Sequence, residues 1–411
     1  MKKLIQKWNN LSLILRIAIG LVVGATLGIL VPQASFLSIF GSVFVGALKA
    51  IAPILVFVLI ISALANAGRG LGKQFRTVIC LYIISTLLAA VLAVVASFVF
   101  PITLKLTDAV TNEAPGGIWE VLSNLITNMV QNPISAMTNA NYIGILTWAV
   151  IFGIALKNIA SDNTKNLLTD ISDAVSQAVR WIISLAPIGI MGLVFDSVSS
   201  NGLAIFSDYG KLLALLVGCM LAVALIINPL IIFICLRQNP YPLVFKCLKE
   251  SGVTAFFTRS SAANIPINMQ LCEKLGLDKD VYSISIPLGA TINMDGAAIT
   301  ITIMTLAAAH TLGIAVDIPT AIILSVLATL AACGASGVAG GSLLLIPMAC
   351  SLFGISNDIA MQVVAVGFII GVIQDSVETA LNSAGDVEFA ATAEYMEWKK
   401  QGRKVEFKWD K

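Results

Sequence analysis

The chain contains 411 residues, of which 58% are hydrophobic and only 12% are charged. Soluble domains carry about 25% charged residues, so this chain lacks the polar side chains that would cover a soluble globule of its size. Long apolar segments take their place, which excludes a soluble enzyme and indicates a polytopic α-helical membrane protein. The net charge is only +2 and no basic domain stands out, so no nucleic-acid partner is expected.

Apolar segments long enough to cross a bilayer recur in the N-terminal half, since a spanning helix needs about 20 apolar residues. The first segment follows basic N-terminal residues without a small-residue cleavage site, which favours a span over a cleaved signal. Residues 118–156 are interrupted by Pro133 and by polar residues, and are interpreted as helical pieces that together make one crossing. The other predicted spans are Leu11–Val31, Phe36–Leu64, Val78–Ile102, Val175–Phe195 and Leu212–Leu236.

Three segments of the C-terminal half do not fit a plain span. Tyr282–Leu312 has 31 residues and carries proline, glycine, asparagine and aspartate near its middle, which predicts a broken helix. Ile318–Phe353 is too long for one helix and too short for two spans with a turn, and its centre is rich in glycine and serine. We therefore predict a re-entrant hairpin there and a second one over 243–275, with its tip at 258–264.

The distribution of lysine and arginine predicts which connections face the cytoplasm, because short cytoplasmic loops are enriched in these residues. Basic residues precede the first span and occupy every second connection, whereas connections 31–36, 103–117 and 196–210 are mainly acidic or uncharged. If each hairpin returns to the side of the membrane from which it entered, eight helices cross the membrane and both termini are cytoplasmic. Ten plain spans would give the same parity and are the alternative.

Ionisable side chains within apolar segments are costly, and they mark candidate functional positions. Asp295 lies near the centre of the broken helix. The last apolar segment carries four polar residues at spacings of four, three and four, which places them on one helix face. These are Asp375, Thr379, Asn382 and Asp386.

Such an acid-rich, partly unwound site favours hard cations such as sodium, and a remaining carboxylate suits a substrate ammonium group. A helix that begins at a hairpin tip suits a substrate carboxylate. A purely structural ion pair between Asp375 and Arg259 is the alternative interpretation.

Four motifs of the C-terminal half resemble those of the dicarboxylate/amino acid:cation symporters, the glutamate transporter family. The most specific is Asn-Met-Asp-Gly, within 286–296, in a broken helix between two hairpins. The others are Thr-Arg-Ser-Ser at 258–261, Gly-Ala-Ser-Gly-Val at 334–338, and the segment from Asp375 to Gly385-Asp386. The resemblance is strong over about residues 240–390. For the preceding residues it rests only on the arrangement of the six predicted spans. Within the family, the chain is most similar to the bacterial serine/threonine:sodium symporters.

The resemblance implies an all-α polytopic membrane protein with eight transmembrane helices, two re-entrant helical hairpins and inverted repeats. It also implies a homotrimer in which each subunit works by an elevator movement. The implied division is scaffold helices 1–2 (1–77), transport-domain helix 3 (78–102), scaffold helices 4–5 (103–210), transport-domain helix 6 (211–240), re-entrant hairpin 1 (241–280), broken helix 7 (281–313), re-entrant hairpin 2 (314–357), helix 8 (358–391) and a basic cytoplasmic tail (392–411).

Family roles transfer to the matching positions as implications of the resemblance. Asp375 would bind the substrate ammonium group, whereas Asn382 and the tip of hairpin 1 would hold the substrate carboxylate. The implied substrate-binding residues are Ser260, Ser261, Met294, Gly337, Val338, Asp375, Glu378, Thr379 and Asn382. The implied sodium ligands are Gly289, Thr291, Asn293, Asp295, Asn382, Asp386, Ser85 and Thr86, with Tyr82 beside them.

One departure from the family pattern bears on the substrate. Members that carry acidic amino acids have an arginine at the position of Glu378, where it binds the side-chain carboxylate of the substrate. A glutamate would repel an acidic side chain, yet it can accept a hydrogen bond from a hydroxyl group. This favours a small neutral hydroxy amino acid. Arg259 leaves alternatives open, because it could neutralise Glu378 or reach an acidic substrate itself.

The sequence is therefore interpreted as a secondary active transporter that couples uptake of L-serine and L-threonine to sodium. A sodium:dicarboxylate or aspartate symporter is the alternative within this class, and a passive cation channel is a more remote one. An enzyme is not expected, since His310 is the only histidine and the seven cysteines include no CxxC pair.

The expected location is the bacterial cytoplasmic (inner) membrane, with the lipid bilayer around the chain. The expected partners are a small neutral amino acid, sodium as the coupling ion, and two further copies of the chain in a homotrimer. No cofactor is expected.

Overall fold

A computed structural model of the protein describes residues 11, 13–66, 73–106, 123, 126–335, 340–403 and 405. All regular elements of this part of the chain are helical. In chain order they are α1 (Leu13–Leu30), α2 (Ser38–Asn66), α3 (Lys73–Val99), α4 (Pro133–Thr138), α5 (Tyr142–Ile159), α6 (Asp162–Ser184), α7 (Ala186–Asn201), α8 (Ile205–Ala222), α9 (Asn228–Leu236), α10 (Tyr241–Cys247), α11 (Val253–Thr258), α12 (Ser261–Lys274), α13 (Lys279–Ile292), α14 (Asp295–Thr311), α15 (Ile318–Ala332), α16 (Ile346–Ser351) and α17 (Asn357–Lys400).

Several of these helices are suited to a bilayer. Counting only the described residues, six helical segments are long and apolar enough to cross a membrane, with α8–α9 and α13–α14 each counted as one segment. The bent pair α6–α7 makes a seventh if it forms one span. Apolar side chains such as Val22, Val95 and Ile234 are exposed on their outer faces. Exposed apolar surface on this scale is stable when lipid covers it, so the fold is that of a multi-pass membrane protein.

The helices pack in two groups. In the first group α1 packs against α7, and α2 packs against α5, α6 and α7. In the second group α14 packs against α3, α15 and α17, while the helical arms formed by α10–α12 pack against α13 and α17. α14 is buried along almost its whole length, which makes it the centre of the second group.

The predicted span Val175–Phe195 is wrong as a single helix. The chain bends by 53° between α6 and α7, with Leu185 at the bend. Pro187 lies two residues further on and cannot donate a backbone hydrogen bond, and Leu185 N–H bonds to the carbonyl of Ile182 instead of continuing the α-helical pattern. α6 also carries charged residues along one face, beginning at Asp162. The sequence pattern covered the apolar end of α6 and the start of α7, and it missed the break between them.

Two pairs of helical arms correspond to the predicted hairpins. α10 and α11, joined by a π-helical turn at Leu248–Gly252, run to Thr258, and the chain reverses at 259–260 before α12. The reversal is shorter than the predicted tip of 258–264, because the side chain of Ser260 caps α12 and allows the helix to begin at Ser261. In the second pair, α15 precedes the turn and α16 follows it, and residues 336–339 of that tip lie outside the described residues.

α17 continues to Lys400, beyond residue 391, where the sequence placed the end of helix 8, and so includes the first part of the predicted tail (392–411). The reason is packing. Tyr395 is buried in a cluster with residues of hairpin 1 such as Leu271, and Glu394 accepts hydrogen bonds of 2.8 and 2.9 Å from the backbone N–H of Asp278. At about 1.5 Å per residue the helix is longer than the hydrocarbon core is thick, so part of it projects beyond the bilayer. The predicted tail residues 406–411 and N-terminal residues 1–10 lie outside the described residues.

Small residues allow close packing between the first group's helices. A Cβ atom on Gly41 of α2 would lie 2.8 Å from the backbone nitrogen of Leu193 in α7. Gly46, one and a half turns later in α2, has no neighbouring atom within 4 Å of such a Cβ. The two glycines therefore have different functions in packing although they belong to the same helix.

We expect Gly41→Ala to destabilise the protein by about 1–3 kcal/mol because α2 and α7 must separate. Gly46→Ala is the matched control, and it should be neutral or slightly stabilising because alanine favours helix. Thermal unfolding of both purified variants in detergent measures the difference. Equal melting temperatures for the two variants would contradict the packing described here.

Candidate functional site

Most of the polar residues singled out in the sequence surround the interruption between α13 and α14. Asn293 and Met294 have non-helical backbone angles, and α14 starts directly after them. The interruption turns polar groups towards α17: Asn293 Nδ2 donates to the carbonyl of Asn382 at 3.0 Å, and the N–H of Gly296 donates to Asn382 Oδ1 at 2.8 Å. Asn382 Nδ2 lies 3.3 Å from Met294 Sδ. Asn382 thus holds both sides of the break.

Asp386 lies one turn further along α17 and is fully buried. Its Oδ1 accepts a hydrogen bond from Asn293 Nδ2 at 3.1 Å, and its backbone carbonyl accepts one from the Tyr82 hydroxyl at 3.0 Å. Asp386 Oδ2 and Asn293 Oδ1 are both buried without a hydrogen-bond partner in the described structure. Two such oxygens next to a helix break are an unsatisfied acceptor pair, which a hard cation would satisfy.

Gly289 makes this arrangement possible. A Cβ atom at this position would lie 2.7 Å from Asp386 Oδ1 and 2.8 Å from the Tyr82 hydroxyl. The Gly289 carbonyl accepts the N–H of Asn293 at 2.9 Å, which ends α13. Only glycine allows the α13 backbone to approach the Asp386 carboxylate this closely.

Asp295 forms a second buried cluster, with α3 and α9. Asp295 Oδ2 lies 2.6 Å from Ser85 Oγ, and Asp295 Oδ1 accepts from Thr86 Oγ1 at 2.9 Å. Asn228 Nδ2 lies 3.4 Å from Asp295 Oδ2, and Asn228 Oδ1 is 2.9 Å from Ser85 Oγ. All four side chains are buried. The carboxylate is therefore stabilised by neutral donors, and none of its hydrogen-bond partners here is a cation.

Asn228 was not identified from the sequence. It is polar and only 1% exposed, and it precedes Pro229 in the middle of an apolar segment, where a π-helical turn also lies. That asparagine–proline pair inside a predicted span was the available signal, since proline frees backbone groups within a helix.

Asp375 joins the two predicted hairpins. Arg259 Nε donates to Asp375 Oδ2 at 2.6 Å, and the N–H of Gly340 donates to Asp375 Oδ1 at 3.1 Å. Arg259 is 8% exposed and Asp375 is 3% exposed, so this is a buried ion pair. The structural alternative considered from the sequence is therefore present, and it does not exclude a functional role for either residue.

The tip of hairpin 1 has a strained backbone. Arg259 has a φ of +53°, a left-handed conformation that usually favours glycine. Its N–H bonds to the carbonyl of Ala255 at 2.8 Å and so ends α11. Ser260 Oγ accepts the N–H of Ala263 at 3.2 Å, and Ser261 is buried at the start of α12. Gly337 and Val338 of the second tip lie outside the described residues.

Glu378 lies within a polar cluster of its own. Its Oε2 accepts hydrogen bonds from Gln374 Nε2 at 2.5 Å, Thr300 Oγ1 at 2.8 Å and Ser342 Oγ at 3.0 Å. Arg259 forms its ion pair with Asp375 and not with Glu378 in this conformation. Thr300, Ser342 and Gln374 were not identified from the sequence, because their positions depend on how α14, hairpin 2 and α17 meet.

For two predicted residues, the side-chain hydrogen bonds seen within the described part of the chain stay inside their own helix. Thr379 Oγ1 donates to the carbonyl of Asp375 at 2.7 Å, within α17. Thr291 Oγ1 donates to the carbonyl of Leu288 at 2.7 Å and is exposed.

A cavity of about 540 Å³ lies between the first helix group and the hairpin tips. Arg259, Ser260 and Thr291 line it from the second group. From α1 and α6 it is lined by Arg16, Asp173 and Arg180, which sequence reasoning did not connect with the site. Beside Asp375 the space is much smaller, about 10 Å³, and it has room for about one water molecule. The Arg259 side chain lines both spaces, and it therefore separates the larger cavity from the Asp375 carboxylate.

Comparisons with known proteins agree with the sequence resemblance. Residues 13–396 match the family described as the sodium:dicarboxylate symporter family.

Similar proteins cover nearly the whole chain. A "Serine/threonine transporter SstT" of Bifidobacterium adolescentis is 64% identical over 399 residues, which cover 97% of this chain and 93% of that protein. Proteins of the same name from Streptococcus thermophilus (LMG 18311) and Streptococcus agalactiae (NEM316) are 59% and 63% identical. They cover 97% and 96% of this chain, and 100% and 98% of their own lengths.

The buried pair between Arg259 and Asp375 gives a direct prediction. We expect Arg259→Gln alone to destabilise the protein by about 3–5 kcal/mol, because it leaves Asp375 buried without its cation. The double variant Arg259→Gln/Asp375→Asn should recover much of this loss, because no uncompensated charge remains. Thermal unfolding of the two single variants and the double variant measures the coupling. Strictly additive effects would contradict a direct pair.

Proposed function

Because the chain belongs to the sodium:dicarboxylate symporter family, we propose that it takes up L-serine and L-threonine together with sodium. It is a transporter and not an enzyme. The observation that carries the choice of substrate is the sequence identity of at least 59%, over nearly the full length, to three proteins named as serine/threonine transporters. Sodium acts as the coupling ion, and no cofactor takes part.

The buried oxygens around the helix break support the sodium part of this proposal. Asp386 with the carbonyls of Gly289, Asn293 and Asn382 forms one proposed sodium site, and Asp386 Oδ2 and Asn293 Oδ1 are the oxygens without a partner. Asp295 and Asn293 with the hydroxyl oxygens of Ser85 and Thr86 form another. The carbonyl of Thr291 contributes to a third, with the second hairpin tip. Oxygen ligands of this kind suit a hard cation.

The substrate is proposed to bind between the hairpin tips and α17. Its ammonium group would pair with Asp375, and its carboxylate would accept hydrogen bonds from Asn382 and from the tip at Ser260 and Ser261. The start of α12 at that tip favours a negative group. Met294, Glu378 and Thr379 would line the pocket, together with Gly337 and Val338, which lie outside the described residues.

Glu378 supports a neutral substrate over an acidic one. The Arg259 guanidinium forms its ion pair with Asp375, and within the described residues no cation pairs with Glu378. A carboxylate side chain on the substrate would therefore find another acidic group beside it and no cation.

The two helix groups are proposed to have different roles in the transport movement. The first group, with α1, α2 and α5–α7, would form the scaffold, and the second, with α3, α8–α9, both hairpins, α13–α14 and α17, would carry the site. We propose that eight helices cross the bacterial cytoplasmic membrane, that both termini are cytoplasmic, and that three copies form a homotrimer with one elevator movement per subunit. The charge distribution along the chain supports this orientation.

Uptake into proteoliposomes tests the proposed function. We expect labelled L-serine to accumulate when an inward sodium gradient is present, and not when choline replaces sodium. Labelled L-aspartate should not accumulate under either condition. Excess unlabelled L-threonine should inhibit serine uptake.

Two outcomes would contradict the proposal. Accumulation of aspartate would move the substrate class to dicarboxylates, and equilibration of serine without accumulation would remove the coupling to sodium.

A further inference from the structure

Charged residues of the first helix group line the cavity of about 540 Å³ that this group shares with the hairpin tips. Arg16 comes from α1, and Asp173 and Arg180 come from α6. A cavity of this volume falls within the usual range for small-molecule sites, about 300–1,000 Å³. The sodium and substrate sites proposed around the helix break and α17 use none of these three side chains.

The α6 wall of the cavity carries charges of both signs on one helix face. The residues that line the cavity at spacings of three, four and four are Asp173, Ser176, Arg180 and Ser184. Asp173 and Arg180 lie two turns apart, about 10 Å along the helix axis, with Ser176 between them. Both are exposed, and no ion pair of the described residues includes either of them. The two opposite charges therefore leave a gap in which a ligand can contact both.

The two arginines from α1 and α6 have donors without acceptors. Arg16 Nε is buried and has no hydrogen-bond partner in the described structure. Arg180 donates through Nε to Gln177 Oε1 at 2.8 Å, and its terminal nitrogens make no hydrogen bond to the described residues. A guanidinium group has five N–H donors in a fork that matches a carboxylate. Two such groups at one cavity indicate a ligand that carries a carboxylate.

We propose that this cavity is a second binding site for the transported amino acid, the vestibule site, formed by Arg16, Asp173 and Arg180. The two arginines bind the carboxylate of the amino acid, and Asp173 binds its ammonium group. The ligand class is a zwitterionic α-amino acid, because a simple anion has no group that pairs with Asp173. The inference rests on the proposed serine and threonine transport, and it adds a second binding site on the route of the substrate.

The position of the cavity agrees with a site on the cytoplasmic part of this route. Arg16 is in the first turn of α1, and Ser62, which also lines the cavity, is near the end of α2. Both of these helix ends are proposed to be cytoplasmic. Ser260 and Ala335 of the two hairpins line the cavity from the other side. An amino acid that leaves the hairpin tips towards the cytoplasm therefore enters the vestibule site.

The vestibule site differs from the primary site in what it recognises. Its charges contact only the ammonium and carboxylate groups that all α-amino acids share, so it does not require a hydroxyl group. Asp295 and Asp386, the charged ligands of the proposed sodium sites, do not line this cavity. Binding at the vestibule site is therefore independent of sodium. Exposed charges bind weakly, and we expect a Kd of about 1 mM or weaker.

Isothermal titration calorimetry of the purified full-length protein with L-serine tests this inference, in choline chloride and in sodium chloride at equal ionic strength. In choline we expect one weak binding component, and L-alanine should compete for it at similar concentrations. Sodium should add a second, tighter component, which reports the primary site.

Variants of α6 assign the weak component to the vestibule site. Asp173→Asn and Arg180→Gln should each weaken the sodium-independent binding of L-serine about threefold to fivefold. Asp170→Asn and Lys165→Gln are matched controls on the same helix at residues that do not line the cavity, and they should bind as the wild type does. A sodium-dependent component that persists in each variant shows that the variant is folded.

Three results would overturn the inference. The first is the absence of sodium-independent binding by the wild type, and the second is wild-type affinity in both Asp173→Asn and Arg180→Gln. The third is equal competition by N-acetyl-L-serine, which has the carboxylate and lacks the ammonium group, because it would reveal a site for anions only. Absence of the sodium-dependent component in the wild type would instead contradict the proposed function, so the two failures are distinguishable.

Discussion

The site depends on how buried negative charge is compensated. Asp295, Asp375, Glu378 and Asp386 are all at most 5% exposed, and within the described residues only Asp375 has a cationic partner, Arg259. A carboxylate in a low-dielectric interior is costly unless hydrogen bonds or an opposite charge compensate it. The four acids are compensated in three ways: by a guanidinium group at Asp375, by neutral hydroxyl and amide donors at Asp295 and Glu378, and only in part at Asp386.

This uneven compensation connects the fold to transport. The helix break at Asn293 and Met294 turns backbone and amide groups towards α17, and Gly289 lets the α13 backbone approach Asp386. The result is a carboxylate oxygen of Asp386 and an amide oxygen of Asn293 that are both buried and lack partners in the described structure. A site with unpaired oxygens gains stability when a cation binds. This gain is the physical requirement for cation binding to influence the conformation of the two hairpins.

Much of this arrangement could be predicted from the sequence, because it depends on local patterns. The broken helix follows from polar residues and proline inside one apolar segment, and the common face of Asp375, Asn382 and Asp386 follows from helical periodicity. The family motifs added the expected roles.

The parts that could not be predicted depend on tertiary contacts. Asn228 reaches Asp295 only because α9 packs beside α3 and α14, and Thr300 and Ser342 meet Glu378 only where three elements converge. The bend at Leu185 was missed because an apolar pattern continues across it. The helical extension of α17 to Lys400 depends on burial of Tyr395 and Glu394, which charge patterning does not reveal.

The most direct measurement is the effect of sodium on thermal unfolding of the purified protein, compared with choline at equal ionic strength. For the wild type we expect sodium to raise the melting temperature with a saturable concentration dependence, because a ligand that binds the folded state stabilises it. Asp386→Asn should need at least about tenfold more sodium for the same rise. Asp358→Asn, an exposed change at the start of the same helix, should respond as the wild type does. An unchanged sodium dependence in Asp386→Asn would contradict the assignment of Asp386 as a sodium ligand.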